Sequence, residues 1–542
     1  VGSEALDANT TGGENTGIGL TSLSSNTTGN GNTAVGRTCM FSNTTGSQNT
    51  SVGRQALGAN TTAGNNTAVG YHAMLSNTTG TQNTSVGHAA LNTNTEGNNN
   101  TALGRAALGD NTASNNTAVG YYSLLSNTSG TGNTAVGASS LDANTTGNAN
   151  TAIGIDALGT NTTGSNNFAG GQGALFANTT ASNNVGIGYF ALNANTTAGS
   201  NTAVGGSCME NNTTGDNNTA VGEGSLHKNT TGVRNTAVGK SAAKENTTSS
   251  NITAVGYHAL TNNTAANNTA VGYKALEANV SGIENVAVGT GALVANTTAG
   301  SCVAVGKDAL NSNTTGIRNT AVGRNALFDC TTGEQNTAIG QAALANATGS
   351  NNTAVGHDAM VACTSGVNNI AVGTQSGNAI TTGNNNVVLG KQANTTTTTG
   401  SNTIVIGNVA NPSSATAANE ITLGNSSIQT LRCQTQTISA LSDERDKTDI
   451  VDSEDGLDVI NALKPRKFTW SMREASDNDG KTELGFIAQE IDAALGSKND
   501  YIKAVYKENP DRLEAAYGRF IPILVKAVQE LSTKVQALEA VQ

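Results

Sequence analysis

The residues best placed to do chemistry lie near the carboxyl end of the chain, where Ser442 is followed five residues later by Lys447. A serine hydroxyl is a weak nucleophile that needs a base beside it, and a lysine amine serves when burial lowers its pKa. One short turn of chain can hold both side chains together at little entropic cost. The pair is therefore compatible with acyl transfer to the serine oxygen. The alternative is an ordinary charged turn in which Ser442 is a helix N-cap.

Other side chains of catalytic or metal-binding type are scattered. No pair of the six cysteines has the spacing of a metal or redox motif, and Cys39 and Cys208 stand where alanine normally occurs. We expect no disulfide framework, no metal site and no cofactor. The sequence shows no paired carboxylates of the kind that a glycosidase uses, although carboxylates of neighbouring repeats or chains could still meet. A glycan hydrolase is therefore not predicted.

The chain that positions these residues consists of two segments with different amino-acid compositions. The chain of 542 residues is 36% hydrophobic and 12% charged, whereas soluble domains are roughly 45–50% apolar and about 25% charged. Residues 1–441 hold 31 charged side chains and residues 442–542 hold 34, so the last 101 residues have the composition of an ordinary domain. There is no apolar run that could span a membrane, and a net charge of −11 without a basic block argues against nucleic acid as a partner.

The first segment is a repeat. A glycine closes the phrase Asn-Thr-Ala-Val-Gly or a variant of it at intervals of 17 residues from Gly2 to Gly424, with steps of 16 only after Gly104, Gly256 and Gly340. Asn-Thr-Ala-Val suits a short strand and Asn-Thr-Thr-Gly suits a turn. The apolar positions are the valine before the glycine and the residues three and four after it. The chain starts within a unit, so we expect the segment that attaches the rod to lie upstream.

A single unit has too few apolar residues to close a core, so units must stack as parallel rungs, supported by ladders of asparagine and threonine. Burial between chains would add to this, and we therefore expect a homo-oligomer. The phrase resembles the β-roll heads of trimeric autotransporter adhesins and the repeat shafts of phage tail fibres, although 17 residues is longer than the usual adhesin repeat. The predicted fold is a mostly β, homotrimeric parallel β-roll or β-solenoid, followed by a small α+β domain.

Tyrosine recurs directly after the repeat glycine. These side chains could be stacking platforms for the sugars of a host receptor, and the alternative, which we favour, is that they only cover neighbouring rungs. The tyrosines concerned are Tyr71, Tyr121, Tyr189, Tyr257 and Tyr273.

The C-terminal segment contains Ser-Asp-x-Arg-x-Lys at 442–447, then Gly-Phe-x-Ala-Gln-Glu at 485–490, then a terminal helix pattern. In this order they resemble the intramolecular chaperone domain of endosialidase-type tailspikes. The resemblance implies a trimeric folding clamp that cuts itself off, with Ser442 and Lys447 as the catalytic pair and Leu441–Ser442 as the cleaved bond. Asp443 and Arg445 match family positions and could orient the turn.

The last helix carries a heptad pattern. Its apolar residues are spaced three and four apart over about three heptads, which predicts a short coiled coil that sets the register of three chains. The alternative is the core helix of a single globule. The positions are Ile521, Leu524, Val528, Leu531, Val535 and Leu538.

These observations predict a repeat shaft over 1–407, a last rung and connector over 408–441, and an autoprocessing chaperone domain over 442–542 with a heptad helix at 520–542. The predicted function is a bacteriophage tail fibre shaft for host attachment, part of the virion and extracellular. Its predicted partners are itself, as a homotrimer, and a host surface receptor, with a glycan favoured. The alternative is a cell-surface trimeric adhesin or extracellular filament that uses the same chaperone.

Overall fold

The computed structural model describes residues 2–428, 430–432, 442–471, 480–507 and 513–540. The chain divides into two compact units, Val1–Asn336 and Thr337–Gln542. The first consists of stacked turns, and the second contains further turns of the same kind followed by a small α+β region.

In Val1–Asn336 every repeat contributes one three-residue strand, formed by the Thr-Ala-Val stretch or its equivalent. The strands are β1 Thr16–Ile18, β2 Thr33–Val35, β3 Thr50–Val52, β4 Thr67–Val69, β5 Thr84–Val86, β6 Thr101–Leu103, β7 Thr117–Val119, β8 Thr134–Val136, β9 Thr151–Ile153, β10 Phe168–Gly170, β11 Val185–Ile187, β12 Thr202–Val204, β13 Thr219–Val221, β14 Thr236–Val238, β15 Thr253–Val255, β16 Thr269–Val271, β17 Val286–Val288, β18 Val303–Val305 and β19 Thr320–Val322.

Successive strands pair in parallel with the repeat in register, as in Thr67↔Thr84 and Val69↔Val86. The shorter 16-residue steps keep this register, since Thr101 still pairs with Thr117. The missing residue is taken from the turn, where the Asn111 amide bonds a carbonyl two residues ahead instead of three. The parallel solenoid predicted from the period is therefore confirmed.

Each strand directs its middle residue inward and its two outer residues outward. Ala68 is fully buried, while Val52, Val86 and Ile153 on the outer face are 37%, 38% and 45% exposed. The interior is completed by the residues three and four after the glycine, such as Ala73 and Met74, both fully buried. The valine before the glycine was counted among the apolar positions of the unit, but it does not belong to the interior, because the alternation of a strand places it outside.

Buried asparagines form two ladders, and the first is interrupted where Oδ1 of Asn94, Asn246 and Asn313 finds no partner among the described residues. In one, the turn asparagines donate from Nδ2 to Oδ1 of the asparagine one turn earlier, as Asn77 does to Asn60 at 3.0 Å and Asn94 to Asn77 at 2.8 Å. In the other, Oδ1 of Asn66 accepts the backbone N–H of Asn83 at 2.9 Å. Threonine hydroxyls add a third column of bonds to carbonyls of the next turn. The predicted ladders are confirmed, and they satisfy amides that burial would otherwise leave unpaired.

The repeat glycine is required by both its conformation and its neighbour. Gly70 has φ +141°, and a Cβ there would lie against the carbonyl oxygen of Gly87 in the next turn. Two non-glycine residues after it, His72 and Met74, are left-handed at φ 58° and 51°. These bends return the chain to the next strand in 17 residues.

In Thr337–Gln542 the same turns first continue. Their strands are β20 Thr337–Ile339, β21 Thr353–Val355, β22 Ile370–Val372, β23 Val387–Leu389, β24 Ile404–Ile406 and β25 Ile421–Leu423, each paired in parallel with the next.

The α+β region that follows is small. Its elements are a 3₁₀ turn Glu444–Asp446, helix α1 Leu457–Ala462, strands β26 Arg466–Thr469 and β27 Thr482–Gly485, helix α2 Ala488–Leu495, a 3₁₀ turn Gly496–Lys498, helix α3 Asn499–Ile502, strands β28 Val505–Tyr506 and β29 Glu514–Ala515, a 3₁₀ turn Tyr517–Phe520 and helix α4 Ile521–Glu539. Strands β26 and β27 pair antiparallel, as do β28 and β29. None of the described helices is both long and apolar enough to cross a membrane.

One apolar cluster holds the α+β region together. It is formed by Val459, Ile491, Leu495, Ile502, Ala504, Val505, Phe520 and Ile523. Helix α4 reaches this cluster with Phe520 at its start and Ile523 in its first turn, while Glu530, two turns further on, caps α1 by accepting the Leu457 N–H at 2.9 Å. Pro522 lies in the first turn of α4, where a missing N–H costs no intrahelical bond.

Candidate functional site

The candidate catalytic pair is brought together by a single 3₁₀ turn. Asp443 caps the turn by accepting the Arg445 N–H at 2.9 Å, and the Lys447 N–H closes it on the Glu444 carbonyl at 3.1 Å. The chain therefore reverses between Ser442 and Lys447, and Lys447 Nζ donates to Ser442 Oγ at 2.6 Å. A nucleophile and its base in hydrogen-bond contact is the arrangement that acyl transfer requires.

Asp443 and Arg445 stabilise this turn through each other. The guanidinium Nε of Arg445 donates to Asp443 Oδ1 at 3.0 Å. This bond, together with the capping N–H, lowers the pKa of the Asp443 carboxyl, and the carboxylate raises the pKa of Arg445. Within the described residues neither side chain bonds to Ser442 or Lys447. Their place is therefore that of positioning residues, and Leu441, on the other side of the predicted cleaved bond, lies outside the described residues.

The environment of the pair differs from that of a working base. Both Ser442 and Lys447 are exposed in the single chain. Water favours the ammonium form of an amine, and burial disfavours it. Within the residues that the structure describes, neither side chain is covered, so the pair has the contact of a nucleophile and its base but not the burial that favours a neutral amine.

The motif at 485–490 is held by hydrogen bonds to residues that are distant in the sequence. The Tyr517 hydroxyl accepts the Phe486 N–H at 3.1 Å and donates to the Phe486 carbonyl at 3.2 Å. Glu490 at the start of α2 receives two bonds from the Arg466 guanidinium, at 2.9 and 2.6 Å. The glutamate is therefore used to fasten α2 to strand β26. Tyr517 and Arg466 were not singled out from the sequence, because their role depends on contacts across the fold.

A second ion-pair cluster fastens α1 to the segment after α2. Lys498 Nζ lies 2.6 Å from Asp455 Oδ1 and 2.9 Å from Asp458 Oδ2. Bonding to Lys498 lowers the pKa of both aspartates, with the Tyr501 hydroxyl adding a bond to Asp455. The two carboxylates in turn raise the pKa of Lys498.

The six heptad residues lie on the outer side of α4. They are exposed by 63%, 46%, 64%, 52%, 44% and 71% at Ile521, Leu524, Val528, Leu531, Val535 and Leu538. The helix contacts its own domain instead through Ile523 and Ala527, which are 5% and 4% exposed. The alternative that the heptad residues form the core of a single globule is therefore wrong, and trimerisation through them stays a prediction.

The tyrosines after the repeat glycine lie on the outside of the turns. Tyr71, Tyr121, Tyr189, Tyr257 and Tyr273 are between 39% and 54% exposed. Each of the first four contacts the ring that follows it in the chain: Tyr71, Tyr189 and Tyr257 stack on it, as Tyr71 does on His72 with centroids 3.8 Å apart, and Tyr121 is tilted against Tyr122. Four arginines, at positions 37, 54, 105 and 324, occupy the same place in their own turns. These arginines were not singled out from the sequence, although their position directly after the repeat glycine is visible there.

The cysteines and other metal-ligating side chains form no centre within the described part of the chain. Cys39, Cys208, Cys302, Cys330 and Cys363 are buried free thiols, and burial raises their pKa, to about 11 for Cys208, Cys330 and Cys363. Cys433 lies outside the described residues. No group of three metal-ligating side chains occurs among the residues described.

Comparison with known proteins identifies one segment. Residues 442–500 match the family model described as the chaperone of endosialidase. The match begins at Ser442 and includes the 3₁₀ turn, the Gly-Phe-x-Ala-Gln-Glu motif and helix α2. Neither the curated proteins nor the solved structures contain a significant match to the chain.

Proposed function

We propose that a chain made of stacked 17-residue turns and a chaperone-of-endosialidase domain is the shaft of a homotrimeric bacteriophage tail fibre. The domain at 442–542 assembles three copies and then releases itself by cutting the Leu441–Ser442 bond. The mature shaft attaches the virion to its host from the outside. The observation that carries the processing step is the 2.6 Å contact between Lys447 Nζ and Ser442 Oγ at the first residue of the family match.

The cleavage proceeds by acyl transfer to the serine. Neutral Lys447 takes the hydroxyl proton while Ser442 Oγ forms a bond to the carbonyl carbon of Leu441. The peptide C–N bond then breaks, and the Ser442 nitrogen leaves as an amine that carries the proton. Water next opens the resulting ester, which gives a carboxylate at Leu441 and restores the Ser442 hydroxyl. No group outside the chain is needed except water.

Assembly would switch this chemistry on. The exposed pair needs burial to free the lysine of its proton, and the exposed heptad residues of α4 need an apolar partner. Neighbouring copies that pack along α4 can supply both. Cleavage after assembly removes the segment that nucleated the shaft. The stability of the cleaved shaft is therefore kinetic, set by how slowly it unfolds.

The shaft has a physical need for such a clamp. Strand pairs such as Thr67↔Thr84 differ little from their neighbours, so a slip by a whole period costs little locally. Pairing between distant copies is also slow to begin. A C-terminal domain that brings three chains into one register removes both difficulties.

The test is expression of the whole chain with Ser442→Ala, Lys447→Arg and the matched control Glu444→Ala, which changes an exposed side chain in the same turn. Denaturing gels and mass spectrometry are expected to show fragments 1–441 and 442–542 for the wild type and Glu444→Ala. Ser442→Ala lacks the nucleophile, and arginine cannot act as a base. Both should therefore remain intact yet sediment as trimers. A single uncut band from the wild type would refute the processing step, and a monomeric Ser442→Ala chain would refute the assembly.

A further inference from the structure

One outer column of the first unit is unusual in its composition. We call the residues directly after the repeat glycine in six consecutive turns the post-glycine column: Arg37, Arg54, Tyr71, His88, Arg105 and Tyr121. Every Lys and Arg of residues 1–122 falls in this column, and between residues 37 and 122 only Glu96 and Asp110 are acidic. A chain of net charge −11 thus concentrates cations and rings on one strip of its surface.

Three pairs of side chains in the column contact each other across successive turns. Arg54 Cζ lies 5.6 Å from the centroid of the Tyr71 ring, and the Tyr71 and His88 rings stack at 5.3 Å with planes 26° apart. Arg105 Cζ lies 5.7 Å from the Tyr121 ring. Cation–π and ring stacking therefore hold these long side chains in place before any ligand arrives.

A second layer supports the first tyrosine. His72, stacked beneath Tyr71, bonds to Gln55 of the preceding turn at 2.6 Å. Burial, and then the charge of Arg54, lower the pKa of His72. The arginines supply the permanent positive charges of the strip.

The arginines differ from Lys240 and Lys274 of later turns, which have carboxylate partners. Within the described residues no ion pair involves Arg37, Arg54 or Arg105. In contrast, Lys240, at the same place in its turn, lies 3.0 Å from Glu223, and Lys274 beside Tyr273 lies 3.2 Å from Glu277. A guanidinium that keeps its N–H donors free can bind an external carboxylate with two parallel bonds.

From this geometry we infer that the post-glycine column is a binding site for an acidic polysaccharide, with sugar rings on Tyr71 and Tyr121 and carboxylates on the arginines. The inference rests on the proposed role in surface attachment and names its ligand class. Strand spacing of ~4.8 Å places Arg54 and Arg105 about 14 Å apart and gives the column a length of about 24 Å, which is room for several sugar rings. Nucleic acid is disfavoured because three arginines over that length are too sparse for a phosphate backbone.

The test measures binding of the full chain to immobilised hyaluronan, alginate and polygalacturonate, with dextran as the neutral polymer and a poly-dT oligonucleotide as the competing class. The variants are Arg54→Ala with Arg105→Ala, and Tyr71→Ala with Tyr121→Ala. The matched control is Tyr257→Ala with Tyr273→Ala, a stacked pair with rings 5.6 Å apart whose cationic neighbours are already paired with carboxylates.

We expect binding to at least one acidic polysaccharide and none to dextran. The arginine double variant should lose at least about tenfold in affinity, since charged hydrogen bonds contribute strongly. Affinity should also fall in the Tyr71→Ala, Tyr121→Ala variant, whereas the affinity of the Tyr257→Ala, Tyr273→Ala control should stay within twofold of the wild type. Unchanged circular dichroism will show that the exposed substitutions leave the turns folded.

Three results would overturn the inference: no binding to any of the acidic polymers, equal losses for both tyrosine pairs, or tighter binding of poly-dT with the same arginine dependence. Trimer formation and cleavage are read separately by sedimentation and gel. Lost binding with normal assembly defeats this inference alone, and normal binding by a chain that stays monomeric defeats the proposed assembly alone.

Discussion

Replacing Asn77 by alanine removes one rung from the ladder of turn asparagines. Its Nδ2 donates to Asn60 Oδ1 at 3.0 Å and to the Gly80 carbonyl at 2.9 Å, and its Oδ1 accepts from Asn94 Nδ2 at 2.8 Å. Each bond contributes about 0.5–1.5 kcal/mol, and a buried group left unpaired costs about 1–3 kcal/mol. Since Asn94 Nδ2 keeps its bond to Gly97, we expect a local destabilisation of about 2–4 kcal/mol.

Hydrogen exchange measured by mass spectrometry is the assay, because each turn contacts only its neighbours and the effect should stay local. Amides between residues 60 and 97 should exchange roughly 30- to 1000-fold faster, as 1.4 kcal/mol corresponds to tenfold. Peptides from residues 200–240 should be unchanged. The matched control is Thr79→Ala, an exposed change in the same turn.

A result in which Asn77→Ala exchanges like Thr79→Ala would refute the reasoning. It would mean that the asparagine column contributes no stability and that the turns are held by their alanine and leucine interior alone. Faster exchange along the whole chain would instead refute the view that neighbouring turns alone support one another.

Two further predictions concern the C-terminal domain. Leu531→Asp places a charge among the exposed heptad residues and removes about 1.5–3 kcal/mol of apolar burial per chain. Sedimentation should show that this variant is monomeric, and gels should show that it is not cleaved. The control Ser532→Asp, which lies off the heptad positions, should behave as wild type. A Leu531→Asp monomer that is still cleaved would contradict the view that cleavage depends on assembly. Lys498→Met removes the cation that lowers the pKa of Asp455 and Asp458. The loss of stability should therefore be full above the ordinary carboxyl value of 3.8 and vanish only as pH falls through the lowered pKa values of the two aspartates. Denaturation followed by Trp470 fluorescence measures this against Lys534→Met, and a pH-independent difference would count against the ion pairs.

Much of the solenoid could be predicted because the same sequence pattern recurs in every turn. The 17-residue period, the turn at Asn-Thr-Thr-Gly and the asparagine ladders all follow from identical residues stacking in parallel. The same holds for the contact between Ser442 and Lys447, which are only five residues apart. Local spacing sufficed there, because few conformations of so short a segment bring the two side chains together.

The direction of each side chain could not be predicted in the same way. Val69 and its equivalents are apolar yet lie outside, because strand alternation only sets them opposite Ala68 and its equivalents, and the left-handed turns at residues such as His72 and Met74 decide which face is enclosed. The outer face of α4 is another example. Its heptad residues and the pair Ile523 and Ala527 are both apolar, and only contact with the rest of the domain selects the second set for burial.

The amino-acid sequence by itself determined the repeat, the change of composition near residue 442 and the closeness of Ser442 to Lys447, because each depends on neighbours along the chain. The tertiary structure alone decided which apolar residues remain exposed, that Tyr517 fastens the motif at Phe486, and that arginines and tyrosines of successive turns stack. These depend on residues 16 or more positions apart, which only the winding of the chain brings into contact.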